Sequence, residues 1–168
     1  RTALIEAFDV LQKRAENGGS VTGLPTGYTE FDEMTAGLQP TDLLILAARP
    51  AMGKTTLALN IAEYGALKSK KAVAVFSMEM SASQLAFRLI SSIGRVNATR
   101  LRTGQLEDED WSRVNMAIKM LSDVKVFIDD TPALSPDVLR SKARRIKREH
   151  DLGLIVVDEE HDPSYKQQ

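Results

Sequence analysis

The sequence predicts an α/β fold in which a parallel β-sheet is flanked by helices and carries a phosphate-binding loop. Two observations predict it. Short apolar runs alternate with helical stretches along the chain, which is typical of parallel sheets with right-handed crossovers. One run leads directly into Gly53-Lys54-Thr55-Thr56, the residue types that hold a nucleotide phosphate between a strand and a helix.

Size and composition fit one globular domain and exclude several classes of protein. The chain has 168 residues, a formal net charge of −1 and no cysteine. Disulfides and thiolate metal sites are therefore excluded, and no global basic field indicates nucleic-acid binding, although local patches can act alone. No apolar run approaches the ~20 residues of a membrane span. The first three residues lack signal-peptide character, and we expect the chain to be cut out of a longer one.

The first predicted element is an amphipathic helix over residues 3–16. Leu4, Ile5, Phe8 and Leu11 share one face at helical spacing. Residues 17–20 break the helix and predict a flexible linker. Two interpretations stay open for the apolar face: it docks on a neighbouring subunit, or it folds back on its own domain.

The remaining elements alternate along the chain after a loop-rich stretch that is punctuated by Gly and Pro. Continuous apolar runs predict strands that are covered on both faces. We expect strands at 42–47, 72–76, 124–128 and 154–157, and helices at 54–67, 81–93, 108–121 and from Ser135-Pro136 to about His150. The proline suits the first turn of that last helix.

The predicted phosphate loop joins the first strand to the helix that follows it. Gly53 lets the backbone approach a phosphate, and the helix N-terminus favours an anion. Lys54 can reach the β- and γ-phosphates, and the Thr55 hydroxyl can ligate Mg²⁺. The usual pattern begins with Gly, whereas this loop begins with alanine. The candidate residues are Ala48, Arg49, Pro50, Ala51, Met52, Gly53, Lys54, Thr55 and Thr56.

Acidic residues follow two of the predicted strands. Asp158 ends the fourth strand, where a carboxylate would lie beside the loop and hold Mg²⁺ through water. Glu79 follows the second strand at the same edge and is a candidate for polarising an attacking water. On spacing alone, Glu79 can also be a loop or cap residue, and Glu159 competes for the same role.

The helix over residues 139–149 is rich in arginine and lysine. Two interpretations stay open for it. The cations can contact nucleic-acid phosphates, or they can form a solvated helix face that also suits the negative end of the helix dipole.

The motifs together resemble the DnaB family of replicative hexameric DNA helicases. The resemblance covers residues 1–158, and the alanine at the start of the phosphate loop is what this family has. The stretches that carry it are Thr22-Gly23-Leu24-Pro25-Thr26-Gly27-Tyr28, Met34-Thr35-Ala36-Gly37-Leu38-Gln39-Pro40, residues 47–56, Phe76-Ser77-Met78-Glu79-Met80, Arg102-Thr103-Gly104-Gln105-Leu106 with Asp110-Trp111, and residues 140–146.

The resemblance implies a RecA-like ATPase domain that uses ATP and Mg²⁺. By position, Lys54 and Thr55 would bind phosphate and metal, Glu79 would be the catalytic base, and Asp158 would be the Walker B aspartate. Residues 1–20 would be the linker helix and linker, and residues 21–158 a partial ATPase domain. The full-length parent would be a homo-hexameric ring in the bacterial cytoplasm, associated with the nucleoid. It would move 5′→3′ on single-stranded DNA, with primase and a helicase loader as partners and without a membrane.

The tail over residues 159–168 departs from that family. Asp158-Glu159-Glu160-His161 and Ser164-Tyr165-Lys166-Gln167-Gln168 resemble the DEEH region of the replication-restart helicase PriA. We expect a sheet that ends after about four core strands to leave an edge uncovered, and nucleotide binding to survive better than hydrolysis. Two other functions stay open: a nucleotide-binding and subunit-interaction module without turnover, and a PriA-type segment in which Glu159 activates water.

Overall fold

The structure, a computed structural model, describes residues 2–16, 21–49 and 51–159. Helices alternate with strands along this part of the chain. The helices are α1 (Thr2–Glu16), α2 (Thr29–Thr35), α3 (Lys54–Ser69), α4 (Ala82–Gly94), α5 (Ala98–Thr103), α6 (Asp108–Val124) and α7 (Pro136–Glu149), and the strands are β1 (Ala72–Ser77), β2 (Val126–Asp129) and β3 (Leu152–Asp158).

The three strands form one parallel sheet in the order β2-β1-β3. The central strand β1 is buried along its whole length, as expected from its continuous apolar run. Ser77 at its end pairs in register with Asp158 at the end of β3, and Phe76 pairs with Asp129 of β2. The predicted class, a parallel sheet flanked by helices, is confirmed.

Helices cover both faces of β1. Val73 and Val75 point to the face where Leu59 of α3 and Leu85 of α4 pack. The alternate residues of β1 point to the other face, where Ala143 of α7 and Leu152 of β3 complete a smaller cluster. Full burial of a leucine such as Leu85 stabilises the fold by ~1.5–3 kcal/mol. Both layers therefore hold β1 in place, and with it the sheet edge where β1 ends.

The strand predicted at residues 42–47 is wrong. Residues 42–49 form no regular secondary structure, and the sheet has three strands rather than four in the described part of the chain. Leu43 and Ile45 are 84% and 77% exposed. An apolar run becomes a strand only when a neighbour supplies hydrogen-bond partners and other elements cover its faces, and here it has neither kind of support.

Two short helices, α2 and α5, were missed because their stability comes from tertiary and capping contacts. The buried Asp32 carboxylate of α2 accepts hydrogen bonds from the backbone N–H groups of Thr26, at 2.9 Å, and of Gly27, at 3.1 Å. The Asn97 side chain caps α5 by accepting from the Thr99 N–H at 2.8 Å. The five predicted helices are confirmed to within a few residues, and α6 extends to Val124, so β2 begins two residues later than predicted.

Helix α1 forms as predicted, and its apolar face is exposed. Leu4, Phe8 and Leu11 are exposed, as is Ile5 between them. The predicted linker at residues 17–20 lies outside the described residues. Among the helices that the structure describes, none combines the length and the apolar composition that crossing a bilayer requires.

Candidate functional site

The N-terminus of α3 meets the carboxyl ends of β1 and β3 at one edge of the sheet. The Thr55 hydroxyl donates to Asp158 Oδ2 at 2.8 Å, and both side chains are buried. The pairing of Ser77 with Asp158 fixes how far β3 reaches beside β1, and the Met78 N–H donates to the Asp158 carbonyl at 2.8 Å. The structure therefore places the predicted Asp158 directly beside the first turn of α3.

Lys54 lies at the centre of this edge and contacts three groups. Its ammonium donates to the backbone carbonyl of Glu159 at 2.7 Å. It also lies 3.6 Å from Asp158 Oδ1 and 3.7 Å from Glu79 Oε2. Residues from three separate predicted motifs thus lie around the Lys54 ammonium. This agrees with the expectation that the carboxyl ends of parallel strands meet at one edge of the sheet.

The described part of the loop before α3 contains two residues with positive φ. Gly53 has φ +85°, which glycine adopts without strain, and Ala51 has φ +62°. A Cβ built on Gly53 meets no atom within 4 Å, so the space above the loop is open. The first N–H groups of α3 have no acceptor within the helix, and they face an anion favourably.

The other predicted loop residues differ in their exposure and in their hydrogen bonds. Ala48, Arg49 and Met52 are exposed, and the Met52 N–H donates to the Arg49 carbonyl at 3.3 Å. Thr56 Oγ1 accepts from the Arg88 guanidinium at 3.1 Å. Pro50 lies outside the described residues. The predicted buried strand before the loop is not formed, so the loop follows an exposed segment instead.

Glu79 and Glu159 take part in this edge in different ways. Glu79 directs its carboxylate at Lys54. Glu159 contacts Lys54 through its backbone carbonyl, and it also borders a cavity of about 1070 Å³ between α7 and the outer face of β3. That cavity lies beside the Lys54 cluster rather than at it. The geometry favours Glu79 as the carboxylate that faces the loop.

The donor set suits a triphosphate with Mg²⁺. An ammonium, a hydroxyl and a carboxylate lie together beside the first turn of α3, whose N–H groups have no acceptor within the helix. No group of three or more His, Cys, Asp or Glu that could hold a metal exists among the described residues. Mg²⁺ is commonly held by one or two protein ligands together with phosphate oxygens and waters, so Thr55 and Asp158 are sufficient.

The sequence reasoning missed three residues near this edge. Arg88, on α4, reaches Thr56, and no local pattern marks it. Ser77 is buried at the end of β1, and its hydroxyl accepts from the Met80 N–H at 3.0 Å. Asp130 follows β2 and accepts from the Ala82 N–H at 2.8 Å. The signal used for Asp158, an acid directly after an apolar run, marks Asp129 rather than Asp130.

The basic helix α7 is partly engaged with the protein itself. The Lys142 ammonium donates to Asp129 Oδ2, and to Thr131 Oγ1 at 3.2 Å. The hydrogen bonds from Lys142 and Thr131 lower the pKa of Asp129 to about 2. Lys147 donates to the Leu152 carbonyl at 3.4 Å. Lys142 and Lys147 therefore bind the sheet and its end, and for these two cations neither a free phosphate-contacting surface nor a fully solvated helix face describes the structure.

Comparison with known proteins gives the family. The family model described as "DnaB-like helicase C terminal domain" matches residues 23–160. The chain belongs to this family. A curated relative, "Replicative DNA helicase DnaB" of Geobacillus stearothermophilus, is 48% identical over 155 residues, which is 92% of this chain and 34% of the relative. "Replicative DNA helicase DnaC" of Bacillus subtilis (strain 168) is 46% identical over 158 residues, 94% of this chain and 35% of the relative.

Two solved structures have a similar fold. "ATPase Domain of G40P" superposes with a TM-score of 0.81 at 32% identity, over 92% of this chain and 55% of that chain. "The Structure Of A DnaB-Like Replicative Helicase And Its Interactions With Primase" gives 0.76 at 33% identity, over 90% of this chain and 37% of that chain. The chain spans about a third of the length of its curated DnaB-like relatives.

Proposed function

We propose that this chain binds ATP with Mg²⁺ and is the motor part of a replicative 5′→3′ DNA helicase. The observation that carries the proposal is the contact between Thr55 and Asp158, at 2.8 Å, beside the Lys54 ammonium. This is the pairing of a loop hydroxyl with a strand-end carboxylate that a phosphate-bound Mg²⁺ needs. The family and its curated relatives, which are replicative DNA helicases, support it.

Each side chain has a role in this proposal. Bound ATP and Mg²⁺ supply the phosphoryl group and the charge that screens it. Lys54 and the N–H groups of residues 51–56 hold the phosphates, since a fixed cation and a helix N-terminus both favour an anion. Thr55, through its hydroxyl, and Asp158, through its carboxylate, would hold Mg²⁺, which would screen the charge of the phosphates. Glu79, the exposed carboxylate beside Lys54, accepts the proton of the attacking water.

The proposal also covers the full-length parent protein. We propose that it forms a homo-hexameric ring in the bacterial cytoplasm and moves along single-stranded DNA at the replication fork. One structural neighbour is described with its interactions with primase, and we extend a primase partner and a helicase loader to the parent. Residues 21–158 would be the ATPase domain of each subunit, residues 1–20 the linker helix and linker, and residues 159–168 a separate tail.

A second function is favoured by a specific observation on α1. Leu4, which is 78% exposed, Phe8 and Leu11 form an apolar face that the other described residues do not cover. We propose that α1 docks on another copy of the domain as a linker helix, so the chain also acts as a subunit-interaction module. A module without turnover would keep this docking and nucleotide binding, and would lack hydrolysis.

Nucleotide affinity tests the main proposal. Titration with a fluorescent ATP analogue and Mg²⁺ should show that Lys54→Ala weakens binding about 10- to 100-fold, the ~1.5–3 kcal/mol of charged hydrogen bonds that are lost. Lys119→Ala, a lysine exposed on α6, is the matched control and should bind like the wild type. Unchanged affinity of Lys54→Ala would contradict the proposal.

Turnover separates the two candidate bases. Glu79→Gln should abolish ATP hydrolysis while nucleotide binding persists, and Glu159→Gln should retain hydrolysis. The reverse result would favour the PriA-type interpretation, in which Glu159 activates water. Binding without measurable hydrolysis in the wild type would favour the module. The resemblance of the tail to PriA stays a prediction, because residues 160–168 lie outside the described part of the chain.

A further inference from the structure

Glu79 lies in a short turn of four residues between β1 and α4. Glu79 contacts Lys54 through its carboxylate at 3.7 Å, and its side chain is 40% exposed. A partly exposed side chain on a turn has many positions open to it. The geometry at Lys54 therefore depends on how firmly the turn, residues 78–81, is fixed to the sheet.

Backbone hydrogen bonds fix this turn from three directions. The Met78 N–H donates to the Asp158 carbonyl at 2.8 Å, which ties the start of the turn to β3. The Met80 N–H donates to the buried Ser77 hydroxyl at 3.0 Å, which ties its middle to β1. At its far end, the Ala82 N–H donates to Asp130 Oδ2 at 2.8 Å, which ties it to the residue after β2.

The order of the sheet explains why Asp130 is in place to do this. β1 lies between β2 and β3, and Phe76 pairs in register with Asp129, so Asp130 lies beside the point where β1 ends. Ala82 is the first residue of α4, and its N–H has no acceptor within the helix. A carboxylate there satisfies that N–H and also suits the positive end of the helix dipole.

We propose that Asp130 and Ser77 are positioning residues that hold the turn 78–81 so that the Glu79 carboxylate faces Lys54. Neither side chain contacts Lys54 in the described structure; Ser77 acts through the Met80 N–H of the turn, and Asp130 acts through the Ala82 N–H directly after it. The inference rests on the proposed role of Glu79 and adds two residues to those proposed for the phosphate site. Loss of either acceptor moves Glu79, and an error of about 1 Å in a reacting group can cost ~10²-fold in rate.

Two substitutions at Asp130 distinguish positioning from charge. Asp130→Ala removes the acceptor, whereas Asp130→Asn keeps a side-chain oxygen that can accept from the Ala82 N–H and loses only the charge. Asp137→Ala is the matched control, because it removes an exposed acid from the first turn of another helix, α7. Ser77→Ala removes the second acceptor independently of Asp130.

The readout is the carbon-13 signal of the Glu79 side-chain carboxyl, assigned by its loss in Glu79→Gln. The Lys54→Ala variant gives the reference value for how far this signal moves when the contact with the ammonium is lost. We expect Asp130→Ala and Ser77→Ala to displace it by at least half as much, and Asp130→Asn and Asp137→Ala to leave it within its linewidth. All spectra are taken well below the unfolding temperature of each variant, so a purely stabilising role moves the unfolding midpoint and not this signal.

Turnover supplies a second readout where the wild type hydrolyses ATP. Asp130→Ala should lower kcat by about tenfold or more with KM within about twofold, and Asp130→Asn should restore most of kcat. An unmoved carboxyl signal in Asp130→Ala, or an equal displacement in Asp130→Asn, would overturn the proposal. Failure of the proposed function would show separately, as ATP-analogue binding that does not depend on Lys54.

Discussion

Two apolar runs of similar composition have different structures in this protein. Residues 152–158 form β3, which pairs with β1 along its length and ends in the buried Asp158. Residues 42–49 form no strand, and Leu43 and Ile45 are exposed. Apolar composition is therefore not what makes a strand here. The partner strand determines whether a strand forms, because it supplies hydrogen-bond partners for the backbone N–H and C=O groups that an isolated extended run would expose to water.

The comparison also shows how the phosphate loop is held. The ends of the segment before it are fixed near the ends of β3: Leu38 pairs with Leu24, which lies against Gly153, and Lys54 donates to the Glu159 carbonyl. Between these ends, the described structure has no ladder to the sheet. The position of the loop thus rests on α3 and its contacts with Asp158.

Amide exchange tests the comparison most directly and has the largest expected effect. Amides of residues 154–157 that donate to β1 should exchange ~10³-fold more slowly than their unstructured rate, and amides of residues 43–47 should exchange close to it, because only the first set donates within a ladder. Hydrogen exchange resolved to single residues measures this. Equal protection of both runs would mean that residues 42–47 form a fourth strand in solution.

The same leucine-to-alanine change in each run gives the next largest difference. Leu152→Ala should lower the free energy of unfolding by ~2–5 kcal/mol, because it opens a cavity beside Ala143 in the core below α7. Leu43→Ala, at a site that is 84% exposed, should change it by less than ~0.5 kcal/mol. Urea unfolding of both variants measures the pair. A large loss for Leu43→Ala would show that this run is buried.

The aspartates of the two runs should differ in their effect on Mg²⁺. Asp158→Asn should weaken the Mg²⁺-dependent part of ATP-analogue binding about 10- to 100-fold, since it removes the charge that orients the metal's ligands. Asp42→Asn is the matched control at the start of the unpaired run, where the carboxylate only accepts from the Gln39 N–H at 3.0 Å. The measurement is a Mg²⁺ titration at fixed nucleotide. Equal effects would remove Asp158 from the site.

The smallest expected effect concerns the aspartate that ends the other paired strand, β2. The pKa of Asp129 is lowered from 3.8 to about 2, first by the hydrogen bond from Lys142. A lowered pKa stabilises the fold above about pH 4, and that contribution is lost as the pH falls from 3.8 towards about 2.

Unfolding measurements at about pH 5 and about pH 2 should therefore show a smaller acid loss of stability for Asp129→Asn than for the wild type, by less than ~1 kcal/mol because the pair is largely solvated. Asp137→Asn, an exposed acid on α7, should lose stability as the wild type does. An Asp129→Asn variant with the full acid loss would show that this pair does not contribute.

Much of the candidate site could be predicted because its residues lie at the ends of elements. Lys54 and Thr55 begin a helix, and Asp158 ends a strand, so the topology of a parallel sheet brings them to one edge. Asp130 and Arg88 could not be assigned this way. Their contacts, with the Ala82 N–H and with Thr56, cross between elements that are distant in sequence, and no local spacing encodes such distances.

The sequence by itself determined the five longer helices and the class of fold, and it predicted the phosphate loop. Those features follow from periodicity, from glycine's backbone freedom and from the residue types that hold phosphate, all of which act over a few neighbouring residues. Only the tertiary structure decided which apolar runs became strands and what holds Glu79 towards Lys54. The physical reason is that strand pairing and cross-element hydrogen bonds take their energy from partners far along the chain, as β3 does from β1 and Ala82 does from Asp130.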